Sequence, residues 1–90
     1  MLDPIVHQET RLRVLTVLHK NREVGFAGLC AALHVSQGNL GAHLEKLQGA
    51  GYVAKHDRLT PRGFQPRYHL TDTGTKAFLG YVGALRGLLE

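Results

Sequence analysis

Apolar residues recur at helical spacing through most of this chain, and the period changes once, between residues 52 and 71. Ile5, Leu12, Leu15 and Leu18 fall on or near one stripe that Val14 and Val17 widen, which predicts a helix running to about Lys20. Asp3-Pro4 reads as its start, a capping carboxylate followed by a proline suited to the first helical position. "NREVGF" then breaks the pattern through Asn21 and Gly25. A short second helix follows from about Phe26 to Leu33, apolar along Phe26, Leu29, Cys30 and Leu33. "HVS" is a turn, Ser36 is an N-cap, and the third helix runs over 36–48 with Leu40, Leu44 and Leu47 on one face. Gly49-Ala50-Gly51 ends it, with a left-handed cap expected at one of the two glycines.

The next segments, "YVAKHDRL" (52–59) and "FQPRYHLT" (64–71), are short and rich in β-branched or aromatic residues. "TPRG" between them is turn chemistry, so they form a hairpin. Pro66 in the second arm cannot donate to a ladder and predicts an edge strand. The last segment returns to helical spacing, with Phe78, Tyr81, Val82, Leu85, Leu88 and Leu89 repeating along one side. Gly80, Gly83 and Gly87 within it each cost up to ~1 kcal/mol against Ala, which packing has to offset. The fold class expected is mainly α with a small β-hairpin, in the order helix, helix, helix, hairpin, helix, as one domain over 1–90.

The third helix raises a question that hydrophobic spacing does not answer. Away from its leucines it carries Gln37, Asn39, His43 and Lys46, separated by Gly38, Gly41 and Ala42. Two short helices joined by a tight turn, with a hairpin directly after, suggest a helix-turn-helix followed by a wing. A helix entering a major groove about 12 Å wide needs donors and acceptors outside and little bulk between them. Gln and Asn can pair with adenine, while Lys or His can reach guanine or phosphate. Lys55, Arg58, Arg62 and Arg67 put positive charge on the wing, for phosphates or the minor groove. Arg58 and Arg62, near the tip, are stronger candidates than Arg67. Charge agrees: the net +4 at pH 7 is +1 over residues 1–35, +3 over 36–70 and zero over 71–90. The excess sits where an electrostatic footprint belongs.

These motifs resemble the winged-helix transcriptional regulators of the MarR and ArsR type, especially small single-domain ones. "VSQGNLGAHLEKLQGAGYV" is similar to their recognition helix, with a Ser cap, a small variable patch, "HL", a Leu three further on, and "AGY" leading into the wing. "PRYHLTDTG" resembles the return strand and the "LT..G" start of the last helix, and "HQETRLRVLTVL" resembles the opening helix. The resemblance implies a homodimer that binds a pseudo-palindromic double-stranded DNA operator and usually represses transcription. The DNA-binding residues expected are then Ser36, Gln37, Gly38, Asn39, Ala42, His43, Lys46, Lys55, Arg58, Arg62 and Arg67. Relatives often carry a phosphate-contacting Ser or Thr where this chain has Gly41, which passes that contact to Ser36 or the wing.

The six large apolar residues of the last helix exceed what one face against a thin core needs, and such a stripe marks an interface. The dimer expected is built on the first and last helices through Ile5, Leu12, Phe78, Tyr81, Val82, Leu85, Leu88 and Leu89. A small apolar effector in the cleft of that dimer is the expected form of any control. The six histidines and Cys30 invite comparison with metal sensors, but Cys30 and His34, four apart, are the only close pair and no CxxC or HxxxH pair occurs. No metal or other cofactor is expected, and Cys30 reads as a small core residue. No phosphate loop or nucleophile elbow points to an enzyme, and a chain of 90 residues leaves little room for an enclosed pocket of ~300 Å³. A lone Cys, no apolar run of ~18 residues and no signal-like start fit a cytoplasmic chain without a membrane partner. Two rival readings are a winged-helix module that binds proteins and a metal-responsive repressor.

Overall fold

A computed structural model describes residues 2–90. Its elements are α1 (Glu9–Lys20), β1 (Val24–Gly25), α2 (Phe26–Leu33), α3 (Gln37–Gly49), β2 (Val53–Thr60), β3 (Gly63–Leu70) and α4 (Asp72–Leu89). The mainly helical winged-helix order expected from the sequence is present, with one addition. The two-residue β1 joins the hairpin to give an antiparallel sheet ordered β1-β3-β2.

One core serves all elements. Val14, Leu15 and Leu18 of α1, Leu29 and Leu33 of α2, and Leu40, Leu44 and Leu47 of α3 are buried together with Val53, Tyr68, Phe78 and Tyr81. Each fully buried leucine contributes roughly 1.5–3 kcal/mol over the exposed state. Val6, also fully buried, draws the N-terminal segment onto this core, where the His7 ring and the Tyr81 hydroxyl share a hydrogen bond of 2.9 Å.

That segment corrects the first helix. Asp3 does cap, accepting from the backbone N–H groups of Ile5 and Val6, but it caps a separate turn. The helix begins at Glu9 with Gln8 as N-cap, its side chain accepting from Arg11 N–H. The Arg11 guanidinium donates to the carbonyls of Ile5 (2.6 Å) and Pro4 (3.4 Å), turning them away from any helical partner. Burial alone would raise the Asp3 pKa, but hydrogen bonds from the Tyr52 hydroxyl and from Ile5 and Val6 outweigh it and lower the value.

Pro66 also departs from expectation, because β3 is the central strand. The reason is that β1 covers only Arg67 and Tyr68. Residues 63–66 keep a free edge on that side, so the proline lies where one flank of the strand is open. The hairpin turn is tight, with Pro61-Arg62 between the strands and Gly63 at φ 94°. Thr60 supports it by donating to the Gly63 carbonyl and accepting from Arg62 N–H.

At the base of the hairpin, three elements meet. Gly51 (φ 78°) takes the left-handed conformation after α3, and Tyr52 N–H donates to Leu47. The Tyr52 carbonyl accepts from Thr71 N–H, and the Thr71 hydroxyl donates to the Gly51 carbonyl while accepting from Gly74 N–H. Gly74 lies so close that a Cβ there would sit 1.9 Å from the Tyr52 carbonyl oxygen. Backbone, not a flexible side chain, fills that space. Gly74→Ala should therefore destabilise the protein by about 2–3 kcal/mol or more, read as a lower urea midpoint with an unchanged m-value.

Candidate nucleic-acid interface

α3 is anchored by its leucines, and Ser36 caps it by accepting from Asn39 N–H at 3.1 Å. Opposite the leucines lie Gly38, Ala42, Glu45 and Gly49, all exposed, with Gln37 on one flank and Asn39, His43 and Lys46 on the other. Gln37, Asn39 and Lys46 reach solvent freely. A Cβ at Gly38 or Gly41 would meet nothing within 4 Å. Neither glycine is required by the fold, although each weakens the helix. Glu45 puts an acid on this otherwise basic and neutral face, a feature outside the expected set.

His43 differs from its neighbours in being half-buried. Arg11, from the first turns of α1, donates through Nη1 to His43 Nδ1 at 3.3 Å. Desolvation first, then the charges of Arg11 and Lys46, lower the His43 pKa below its ordinary value. Sequence spacing gives no sign of this pair, which is separated by 32 residues.

The four basic wing residues have different surroundings. Arg62 is exposed at the turn and Lys55 is exposed on β2. Arg58 is exposed but forms an ion pair with Glu23, which also accepts from His56 Nε2 at 2.8 Å. The hydrogen bond from Arg58 leads the causes that hold the Glu23 carboxyl below its ordinary range. Arg58 thus spends part of its charge within the chain, and Arg62 is the freer cation of the two placed near the tip. Arg67 is half-buried against Gly25, and its Nε is buried without a partner. Glu23 itself precedes β1 and was not among the expected site residues. Leu59 and Phe64, directly paired across the hairpin, are 68% and 69% exposed beside the turn.

A groove of about 820 Å³ separates the wing from the start of α2, lined in part by Glu23, Phe26, Arg62 and Arg67. It exceeds the space expected of so small a chain because it is an open channel between hairpin and body. Among the described residues, no group of three or more His, Cys, Asp or Glu side chains could hold a metal ion. His34, at φ 55°, caps α2 through a backbone hydrogen bond to Cys30. Among the described residues, no helix is long and apolar enough to cross a membrane.

The interface residues expected for a dimer also divide. Phe78 and Tyr81 are buried in the core of the single chain, and Ile5, Leu12, Val82 and Leu85 are half-buried against it. Leu88 and Leu89 are 70% and 81% exposed. Gly80, Gly83 and Gly87 face open space, so close packing inside the chain does not account for them.

Comparison with known proteins agrees with this architecture. The transcriptional regulator homologue from Pyrococcus horikoshii has the same fold at a TM-score of 0.88, with 22% identity over 94% of this chain and 84% of its own. The transcriptional regulator HlyU from Vibrio vulnificus is 31% identical over 90% of this chain and 79% of its own, at a TM-score of 0.69. HlyU from Vibrio cholerae is 30% identical over 90% of this chain and 83% of its own, at 0.68. No curated protein matches the sequence. The model of the winged helix DNA-binding domain matches residues 10–89, from the first turn of α1 to the end of α4, and the chain belongs to that non-enzymatic family.

Proposed function

We propose that the chain is a sequence-specific transcriptional regulator of double-stranded DNA, MarR- or ArsR-like, acting as a homodimeric repressor on a pseudo-palindromic operator. The observation that carries this reading is the pair of glycines on α3, exposed Gly38 on the outer face and half-buried Gly41 on the Gln37 flank, at both of which a Cβ would meet nothing within 4 Å. A helix that forgoes side chains there gains close approach to a groove, and Gln37, Asn39, His43 and Lys46 supply the hydrogen-bonding groups beside it. Arg62 and Lys55 extend the contact onto phosphates or the minor groove. A protein-binding module would need neither the bare helix face nor the charge excess over residues 36–70. Selection of bound fragments from random DNA is the direct test, with half-sites about one DNA turn apart as the expected result. Binding that is weak and insensitive to salt would favour the protein-binding rival instead.

The dimer rests on α4. Leu85, Leu88 and Leu89 continue the core-facing side of the helix past Phe78 and Tyr81 into solvent. Exposed leucines in that position fit a second copy, with Ile5, Leu12 and Val82 at its border. Control, if by a ligand, would then act through the spacing of the two recognition helices, with a small apolar molecule in the cleft.

Three outcomes are expected. Asn39→Ala should cost roughly 1–3 kcal/mol of specific binding and relax preference at particular base pairs, while Arg62→Ala should weaken all sequences alike and shallow the salt slope by about one unit. Gly41→Ala should stabilise the fold by up to ~1 kcal/mol in thermal unfolding and still weaken operator binding, a combination that a purely structural glycine would not give. Leu85→Glu or Leu88→Glu should yield monomers in sedimentation at micromolar concentration and at least a tenfold loss of operator affinity.

A further inference from the structure

Arginine carries only donors and stays charged, so the nitrogen that faces Arg11 Nη1 in His43 has to be an acceptor. An imidazole whose Nδ1 accepts is neutral and carries its hydrogen on Nε2. Among the described residues Nε2 has no hydrogen-bond partner, and it is not one of the buried unpartnered atoms, so it opens to solvent. His43 shares its flank of α3 with Asn39, four residues before, and Lys46, three after, both exposed.

We infer that Arg11 is a positioning residue for recognition: it fixes His43 as a neutral Nε2–H donor, so the DNA group met at this position is a hydrogen-bond acceptor. This rests on the DNA-binding reading above and adds the sense of one contact. Acceptors are guanine O6 and N7, adenine N7 and thymine O4 in the major groove, or a phosphate oxygen; the amino groups of adenine and cytosine are excluded as partners. Arg11 is itself held by the carbonyls of Pro4 and Ile5, so its orientation does not depend on His43 alone. The charged groups facing the ring are Arg11 from α1 and Lys46 from α3, and both oppose its protonation. Protonating Nδ1 would remove the acceptor and set a third cation beside these two. With the folded pKa lowered, this contribution to stability is present above the ordinary histidine value of about 6.5 and is lost as pH falls below it.

The test has two arms. Nitrogen-detected NMR of protein labelled in histidine should show His43 as the Nε2–H tautomer at pH 7, and Arg11→Met should raise its pKa and admit the Nδ1–H form. A wild-type His43 that is protonated or carries its hydrogen on Nδ1 at pH 7 would overturn the inference while leaving DNA binding intact. In the second arm, operators recovered from random DNA carry 7-deazapurines, thymine analogues lacking O4, guanine analogues lacking O6, or methylphosphonates, one position at a time. One substitution should weaken wild-type binding about five- to tenfold and weaken His43→Ala no further. A base analogue in that role assigns a base edge, and a methylphosphonate assigns a phosphate. Penalties that stay the same in His43→Ala at every position would overturn the inference. Wild-type protein without sequence preference would overturn the DNA reading and this inference together, and the spectrum and His43→Ala suffice if Arg11→Met does not fold.

Discussion

The close approach of Gly74 to the Tyr52 carbonyl is the constraint on which the arrangement of the binding elements depends. Tyr52 lies between the end of α3 and the start of β2, and its carbonyl accepts from the residue that caps α4. A side chain at position 74 would push these elements apart, and the angle between α3 and the hairpin would change with them. The Tyr52 hydroxyl donates to Asp3, so the N-terminal turn is fixed to the same point. Four segments of the chain are thereby set relative to one another with few large side chains. A thin core gains orientation here from backbone hydrogen bonds and a steric limit, where a larger domain would use more buried area.

Charge on this surface is divided between internal and external use. Glu23 engages Arg58 and His56, tying the middle of the wing to the segment before β1. Arg11 engages His43 and ties α1 to the exposed flank of α3. Among the described residues, Arg62, Lys55 and Lys46 are exposed and outside these ion pairs, a smaller set of open cations than the composition of residues 36–70 suggests. Net charge counts every cation alike, whereas pairing within the chain decides which of them stay open to an anion.

The regular parts of the fold were legible because they depend on local spacing. The leucines at 40, 44 and 47 and the Ser36 cap define α3 from sequence alone, and the apolar spacing of 26–33 defines α2 to the residue. What escaped depends on contacts between distant positions. Two residues cannot show a period, so β1 was invisible, and with it the reason Pro66 can occupy a central strand. Arg11 looks like any polar residue on a helix, and Glu23 like any loop acid, until their partners 32 and 33 residues away are in place. Asp3 carries a true capping signal of short range, because Arg11 and the burial of Val6 end that turn before α1 begins. The "LT..G" motif was recognised by resemblance, and its physical cause lies in Tyr52.

The partial cover that β1 gives β3 has a bearing on self-association. Uncovered strand edges are templates for another chain, and those beside bulky apolar side chains are the most prone to sticking. This hairpin has two such edges, near the exposed Leu59 and Phe64. Along the outer strand β2, exposed Lys55, Asp57 and Arg58 place charge within four residues, which penalises the approach of a like strand. On β3 the open stretch ends at Pro66, which lacks the donor an added strand would require. A residue out of place by the rules of central strands thus opposes edge-to-edge association through the hairpin.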